Sequence, residues 1–146
     1  MKKLFVLFYA LMCLVTLQAQ KVTLQDVANG TYRAQSIQGL KPMLDGEHYT
    51  QISKDHKRIV KYSFKTGKEV ATIFDVATAR NHKLKNFDDY IMSPDESLIL
   101  IQTETKPIYR RSFTAVYYIY NVRNRTLEPL SNNGPQQVPL FSPDSH

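Results

Sequence analysis

The residues with the most chemical potential in this chain are Arg110 and Arg111, adjacent cations in the stretch KPIYRRSFTAVYYIYN, Lys106 to Asn121. A guanidinium stays charged and presents several N–H donors in a fixed fork, which suits it to hold a carbonyl or a carboxylate. The plain alternative is a pair of solvated charges at the mouth of a strand. The other reactive residue types give less. His48, His56, His82 and His146 are not at metal-ligand spacing and have no cysteine beside them, so they read as surface histidines and no metal site is expected. Asp88-Asp89 is a carboxylate pair by sequence only. Neighbours in a strand or turn point apart, so the pair reads as the start of a strand, DYIM, rather than as an acid/base couple. The five glycines form no G-x-S-x-G nucleophile elbow, and no catalytic or cofactor-binding residue is expected.

The elements that must position the arginines are strands. After Pro42 the hydrophobic pattern takes a period of two. HYTQI, RIVKYSF and EVATIFD read as three strands, joined by the turns SKDH and KTGK. VATARNHKLKNF is irregular. DYIM and SLILIQTE follow across SPDE, then FTAVYYIYN and TLEPLS across VRNR, and VPLF is expected to begin another strand. Ahead of them TLQDVANGTYR has the pattern of one or two helical turns. Leu24, Val27 and Ala28 share a face, and Asn29-Gly30 ends the segment.

An apolar-Ser-x-Asp motif recurs at Ser53, Ser93 and Ser142. Serine and aspartate side chains bond nearby backbone amides, and proline presets φ at the first corner. Such a turn at a period of about 40–50 residues, with four short strands between, marks a β-propeller. The strand FTAVYYIYN agrees. Phe113, Ala115, Tyr117 and Ile119 lie on one face, and Thr114, Val116, Tyr118 and Tyr120 on the other. Both faces need cover, as in a blade packed between neighbours. A central strand of some other sheet has the same pattern.

The N-terminus reads as a signal peptide. Lys2 and Lys3 form a basic start, Leu4 to Leu17 an apolar run, and Ala19 a small residue for cleavage. Removal of residues 1–19 also removes Cys13, the only cysteine, so neither a disulfide nor a thiol nucleophile is expected in the mature chain. The net charge of +6 is spread over scattered residues such as Lys54, Lys57, Arg58, Lys61, Lys65 and Lys68. That reads as a solvated face, and no nucleic-acid partner is expected. Asn29-Gly30-Thr31 and Asn124-Arg125-Thr126 fit the N-glycosylation pattern, but the short Lys-Lys signal has a bacterial look that argues against modification.

TLQDVANGTYR, DYIMSPDESLIL and YRRSFTAVYYIYNVRNRTLEPLS followed by FSPD resemble the start of the dipeptidyl peptidase IV family, over about Thr23 to Asp144. The family typically has aromatic-Arg-His-Ser-aromatic where this chain has Tyr109-Arg110-Arg111-Ser112-Phe113, so Arg111 stands in the histidine position. The resemblance implies an exported or membrane-anchored serine exopeptidase that removes dipeptides with proline or alanine in second position. It implies an eight-bladed propeller capping a C-terminal α/β-hydrolase domain, commonly in a homodimer. The fold expected here is therefore all-β, the first one to two blades of a propeller. Residues 1–19 would be the signal peptide, 20–42 a lead-in and 43–146 a partial propeller domain, stopping as a further blade begins. The resemblance gives Arg110 the role of holding the first peptide carbonyl of a substrate, and gives Arg111 none. The glutamate pair that holds the substrate amine and the Ser-Asp-His triad are not in this sequence, so the chain alone is expected to hydrolyse nothing. Its place would be the bacterial periplasm or the exterior. Two other readings stay open. One is a non-catalytic exported propeller that binds a partner. The other is a small all-β exported protein that pairs with itself through open edges.

Overall fold

The computed structural model of the chain describes residues 21–34 and 39–144. The expected signal peptide lies outside them. The chain divides into two units, Met1–Ser36 and Ile37–His146. In the first, α1 spans Leu24–Ala28. Thr23 caps it: its hydroxyl oxygen accepts from the Asp26 N–H at 3.2 Å, and the Asp26 carboxylate accepts from the Thr23 N–H at 3.0 Å. This reciprocal box satisfies two otherwise orphaned donors. Gly30, at φ of 69°, turns the chain out of the helix.

The second unit holds two four-stranded antiparallel sheets in sequence order. The first comprises β1 (Lys41–Pro42), β2 (His48–Ile52), β3 (Arg58–Ser63) and β4 (Glu69–Asp75). The second comprises β5 (Asp89–Met92), β6 (Leu98–Tyr109), β7 (Ser112–Asn121) and β8 (Leu127–Pro129). Two residues of the lead-in, Lys41 and Pro42, thus pair with β2. The expected strand at Val138–Phe141 does not form. Val138 takes a φ of 43°, far from strand geometry, and Pro139 has no N–H for a ladder. Gln136 makes the contact instead, as a single bridge to Ala115.

The Ser-x-Asp turns share one construction. The Ser93 hydroxyl donates to Asp95 and accepts from the Leu98 N–H at 2.9 Å, while Asp95 accepts from the Ser97 N–H at 3.1 Å. Ser53 makes the same bonds to Asp55 and to the Arg58 N–H, and Ser142 donates to Asp144. The residue after the aspartate is left-handed, His56 at φ 56° and Glu96 at φ 59°. Met43–His48 forms a fourth turn of this shape without a serine. Asp45 accepts from the N–H groups of Glu47 and His48, and Gly46 takes the positive φ. Its Asp-Gly pair was the signal for it.

The core lies between the two sheets. Ile59 and Phe74 of the first meet Tyr90, Ile99, Ile101, Tyr120 and Leu127 of the second, with Val76, Ala79 and Phe87 from the connection. Phe74 stands edge-on to Tyr120 at 4.7 Å and to Phe87 at 5.3 Å, the favoured arrangement for aromatic rings. Each such side chain contributes about 1.5–3 kcal/mol by leaving water. Lys41 of β1 pairs with Asp89 of β5 at 2.6 Å and lies over the Tyr90 ring, a second tie between the sheets. The other face of the second sheet gathers Leu100, Ala115 and Tyr117, with Phe113, Ile119 and Phe141 packed on them. β7 is therefore apolar on both faces and covered on both.

Candidate functional site at the Arg110 hairpin

β6 and β7 outrun their neighbours. β5 pairs with β6 only as far as Gln102, and β8 pairs with β7 only as far as Tyr118. Beyond those points the two strands continue as a ribbon, and residues 104–112 are all exposed. Two irregularities shape it. Thr103 faces Val116 and Lys106 faces Thr114, so Glu104 and Thr105 together oppose Ala115. Glu104 absorbs this bulge in the left-handed region, at φ 51°. A second extra residue, Ile108, lies between the Pro107–Phe113 and Tyr109–Ser112 pairs. Bulges of this kind bend a strand and re-aim its side chains. Pro107 fits here because a ribbon edge needs no donor from it.

Arg110 and Arg111 form the tip, the two-residue connection between Tyr109 and Ser112. They are the turn itself rather than the mouth of one strand. Neither is among the residues with positive φ, so the connection is not a primed turn. Ile108 and Tyr109 beside them are 55% and 74% exposed. Among the described residues neither arginine forms an ion pair. The tip is thus a projecting, hydrophobic-flanked pair of guanidinium groups with free donors, able to meet a carbonyl or a carboxylate.

The base of the arm is gripped on both flanks. On the β7 side, Ala115 and Gln136 exchange backbone hydrogen bonds of 3.0 and 2.8 Å. On the β6 side, the Asp88 carboxylate accepts from the Thr105 N–H at 2.9 Å and from the Thr105 hydroxyl at 2.7 Å. Asp89 turns to Lys41, so the two carboxylates serve different partners and form no couple. The sequence carried no sign of the Asp88–Thr105 tie, which spans 17 residues.

The remaining candidates lie elsewhere. A ring nitrogen of His48 meets Asp45 at 2.7 Å, one of His56 meets the Phe87 carbonyl at 3.1 Å, and His82 leans on the Tyr118 ring. His146 is outside the described residues. Among the described residues no three ligating groups converge as a metal would require. Burial alone would raise the Asp45 carboxyl. Hydrogen bonds from His48, Lys61 and the N–H groups of Glu47 and His48 outweigh it and hold the group well below the usual carboxylate range. A cleft of about 500 Å³ opens between the sheets, walled by Met43, Arg58, Ile73, Met92, Tyr120 and Arg125 among others. Arg110 is not in its wall.

Two consecutive four-stranded antiparallel sheets, packed face to face around a shared core, are blades of a β-propeller. Comparison with known proteins gives the family. Residues 93–146 match the dipeptidyl peptidase IV (DPP IV) N-terminal region. Human prolyl endopeptidase FAP is 30% identical over 103 residues, covering 70% of this chain and 13% of that protein. The probable dipeptidyl-aminopeptidase B of Emericella nidulans is 43% identical over 56 residues, 36% of this chain and 6% of that protein. The crystal structure of Porphyromonas gingivalis dipeptidyl peptidase 4 superposes with a TM-score of 0.72 at 37% identity, over 86% of this chain and 18% of that one. The chain belongs to the dipeptidyl peptidase IV family and carries part of its N-terminal propeller region. It spans less than a fifth of the length of these relatives.

Proposed function

We propose that this chain is the N-terminal propeller portion of an exported serine-type dipeptidyl peptidase, and that Arg110 holds the first peptide carbonyl of its substrates. The observation that carries the reading is the placement of Arg110, exposed and unpaired among the described residues, at the tip of an anchored arm in a chain of this family. An enzyme that cuts after the second residue must measure two residues from a free amine. That takes an anion for the ammonium and a donor for the carbonyl between. A guanidinium on a rigid arm is such a donor, and its contribution is orientation rather than bond-making. The anion, the nucleophile and the base would come from later blades and from a C-terminal α/β-hydrolase domain, in a homodimer as in the family. The substrates would be peptides with proline or alanine second.

The test is to incubate the full-length protein with Xaa-Pro and Xaa-Ala peptides and follow the products by mass spectrometry. Dipeptides are expected from peptides with free N-termini and not from their N-acetylated forms. Equal cleavage of both, or none of either, contradicts the reading. Export is checked in the same preparation: the mature protein should be periplasmic or extracellular and begin at Gln20, after cleavage at Ala19.

A further inference from the structure

We infer that Asp88 is the positioning residue of Arg110, fixing the direction of the arm at its base. This deepens the reading of Arg110 given above and rests on it.

A two-stranded ribbon has little stability of its own, so its direction is set where it leaves the sheet. The bulge at Glu104 and Thr105 takes the Thr105 N–H out of the ladder. Asp88 Oδ2 receives that N–H at 2.9 Å and the hydroxyl of the same residue at 2.7 Å. Bonds to a carboxylate are the stronger kind. The hydroxyl is itself ordered, because Gln102 Nε2 donates to it at 2.8 Å, and Tyr117 donates to Gln102 Oε1 at 3.2 Å. Donor directions agree along the whole chain from Tyr117 to Asp88. Asp88 is held in turn, since its own N–H donates to the Gln102 carbonyl at 2.8 Å. The opposite flank is a backbone pair, Ala115 with Gln136. Among the described residues Asp88 is therefore the side-chain hydrogen-bond acceptor that ties the β6 side of the arm at its base.

The lever is long. Extended chain from Thr105 to Arg110 covers roughly 16 Å, so a tilt of about 5° at the base moves the tip by about 1.4 Å. An error near 1 Å in a positioning group is enough to lower turnover severely. Over that span the charge of Asp88 is screened from Arg110, and its influence is geometric.

The experiment is a double-mutant cycle in the full-length enzyme, reading kcat/KM on a chromogenic Xaa-Pro anilide. Asp88→Ala should lower it about tenfold, with a thermal midpoint close to wild type. Asp88→Asn keeps an oxygen for both bonds and should stay within about threefold of wild type, while Thr105→Val, which loses only the hydroxyl, should fall between the two. In the Arg110→Ala background, Asp88→Ala should cost less than about twofold more, because the residue acts through the arginine. If Asp88→Ala equals wild type while Arg110→Ala is impaired, this inference is overturned and the reading of Arg110 stands. A loss that persists undiminished in the Arg110→Ala background also overturns it. If Arg110→Ala itself equals wild type, the reading of Arg110 falls and this inference with it.

Discussion

The Tyr90 hydroxyl donates to Thr50 Oγ1 at 2.6 Å, a buried hydrogen bond that joins the first strand of the second blade to the first blade. Tyr90 and Thr50 are both fully buried. Burial, with the charge of Asp89 adding to it, pushes the phenol up to about 12 from 10.0. Burial likewise raises Tyr117 and Tyr120. Above pH 10 the unfolded chain gives up these protons while the folded chain keeps them, so folding loses free energy as pH rises. Stability should be flat from about pH 6 to pH 10 and fall between about pH 10 and 12. Tyr90→Phe should begin about 1 kcal/mol lower, since the buried bond from its hydroxyl to Thr50 Oγ1 is lost, and should show a shallower fall. Urea unfolding at a series of alkaline pH values checks this. A wild-type curve flat to pH 12 contradicts it.

Phe74 is fully buried between the sheets, against Phe87 and Tyr120. Phe74→Ala should cost about 3–5 kcal/mol. A domain with typical stability has about 5–15 kcal/mol in all, so this variant should be mostly unfolded at modest urea. A loss under about 1 kcal/mol would mean the two blades do not share that core.

The serine turns should differ in weight by burial. Ser93 is 2% exposed and supplies the acceptor for the Leu98 N–H, whereas Ser53 does the same for Arg58 in a more open place. Ser93→Ala should cost about 1–2 kcal/mol and Ser53→Ala less, because an unsatisfied amide is worse away from water. Equal costs by denaturant titration contradict the assignment.

Gly67 and Arg125 occupy one position in two hairpin turns of the same form. Gly67 N–H donates to the Ser63 carbonyl and Arg125 N–H to that of Asn121, both at 2.8 Å, with φ of 63° and 60°. A Cβ on Gly67 would touch nothing, so Gly67→Ala should cost only backbone strain, about 1 kcal/mol. Arg125→Gly relieves the same strain and should leave stability unchanged or raise it by up to about 1 kcal/mol. A destabilised Arg125→Gly would show that the arginine side chain matters to the blade.

Local chemistry explains which parts of this architecture could be read in advance. Ser-Pro-Asp announces its turn because the side chains that close it are in the motif, and Phe113 to Tyr120 announce a doubly covered strand because both faces are apolar. Lys41–Pro42 is too short to show a period. Val138 to Phe141 has strand-like residues, yet Pro139 withholds a donor. Tyr109-Arg110-Arg111-Ser112 contains no glycine, asparagine or aspartate, so nothing local marked it as a hairpin tip, and Glu104 gave no warning of a left-handed bulge. The role proposed for Arg110 rests on family resemblance, because local chemistry does not separate it from Arg111. The tie from Asp88 to Thr105 depends on register between strands, which no single segment encodes.

The most direct measurement compares Arg110→Ala with Arg111→Ala in the full-length protein, by kcat/KM for the proposed activity on a chromogenic Xaa-Pro substrate. Both residues are exposed at one tip, so a change in folding would affect them alike. Arg110→Ala should fall by roughly tenfold to a hundredfold, as loss of a charged hydrogen-bond donor implies, and Arg111→Ala should stay within about twofold. An Arg110→Ala enzyme as active as wild type would contradict the account and leave the arginine a solvated charge.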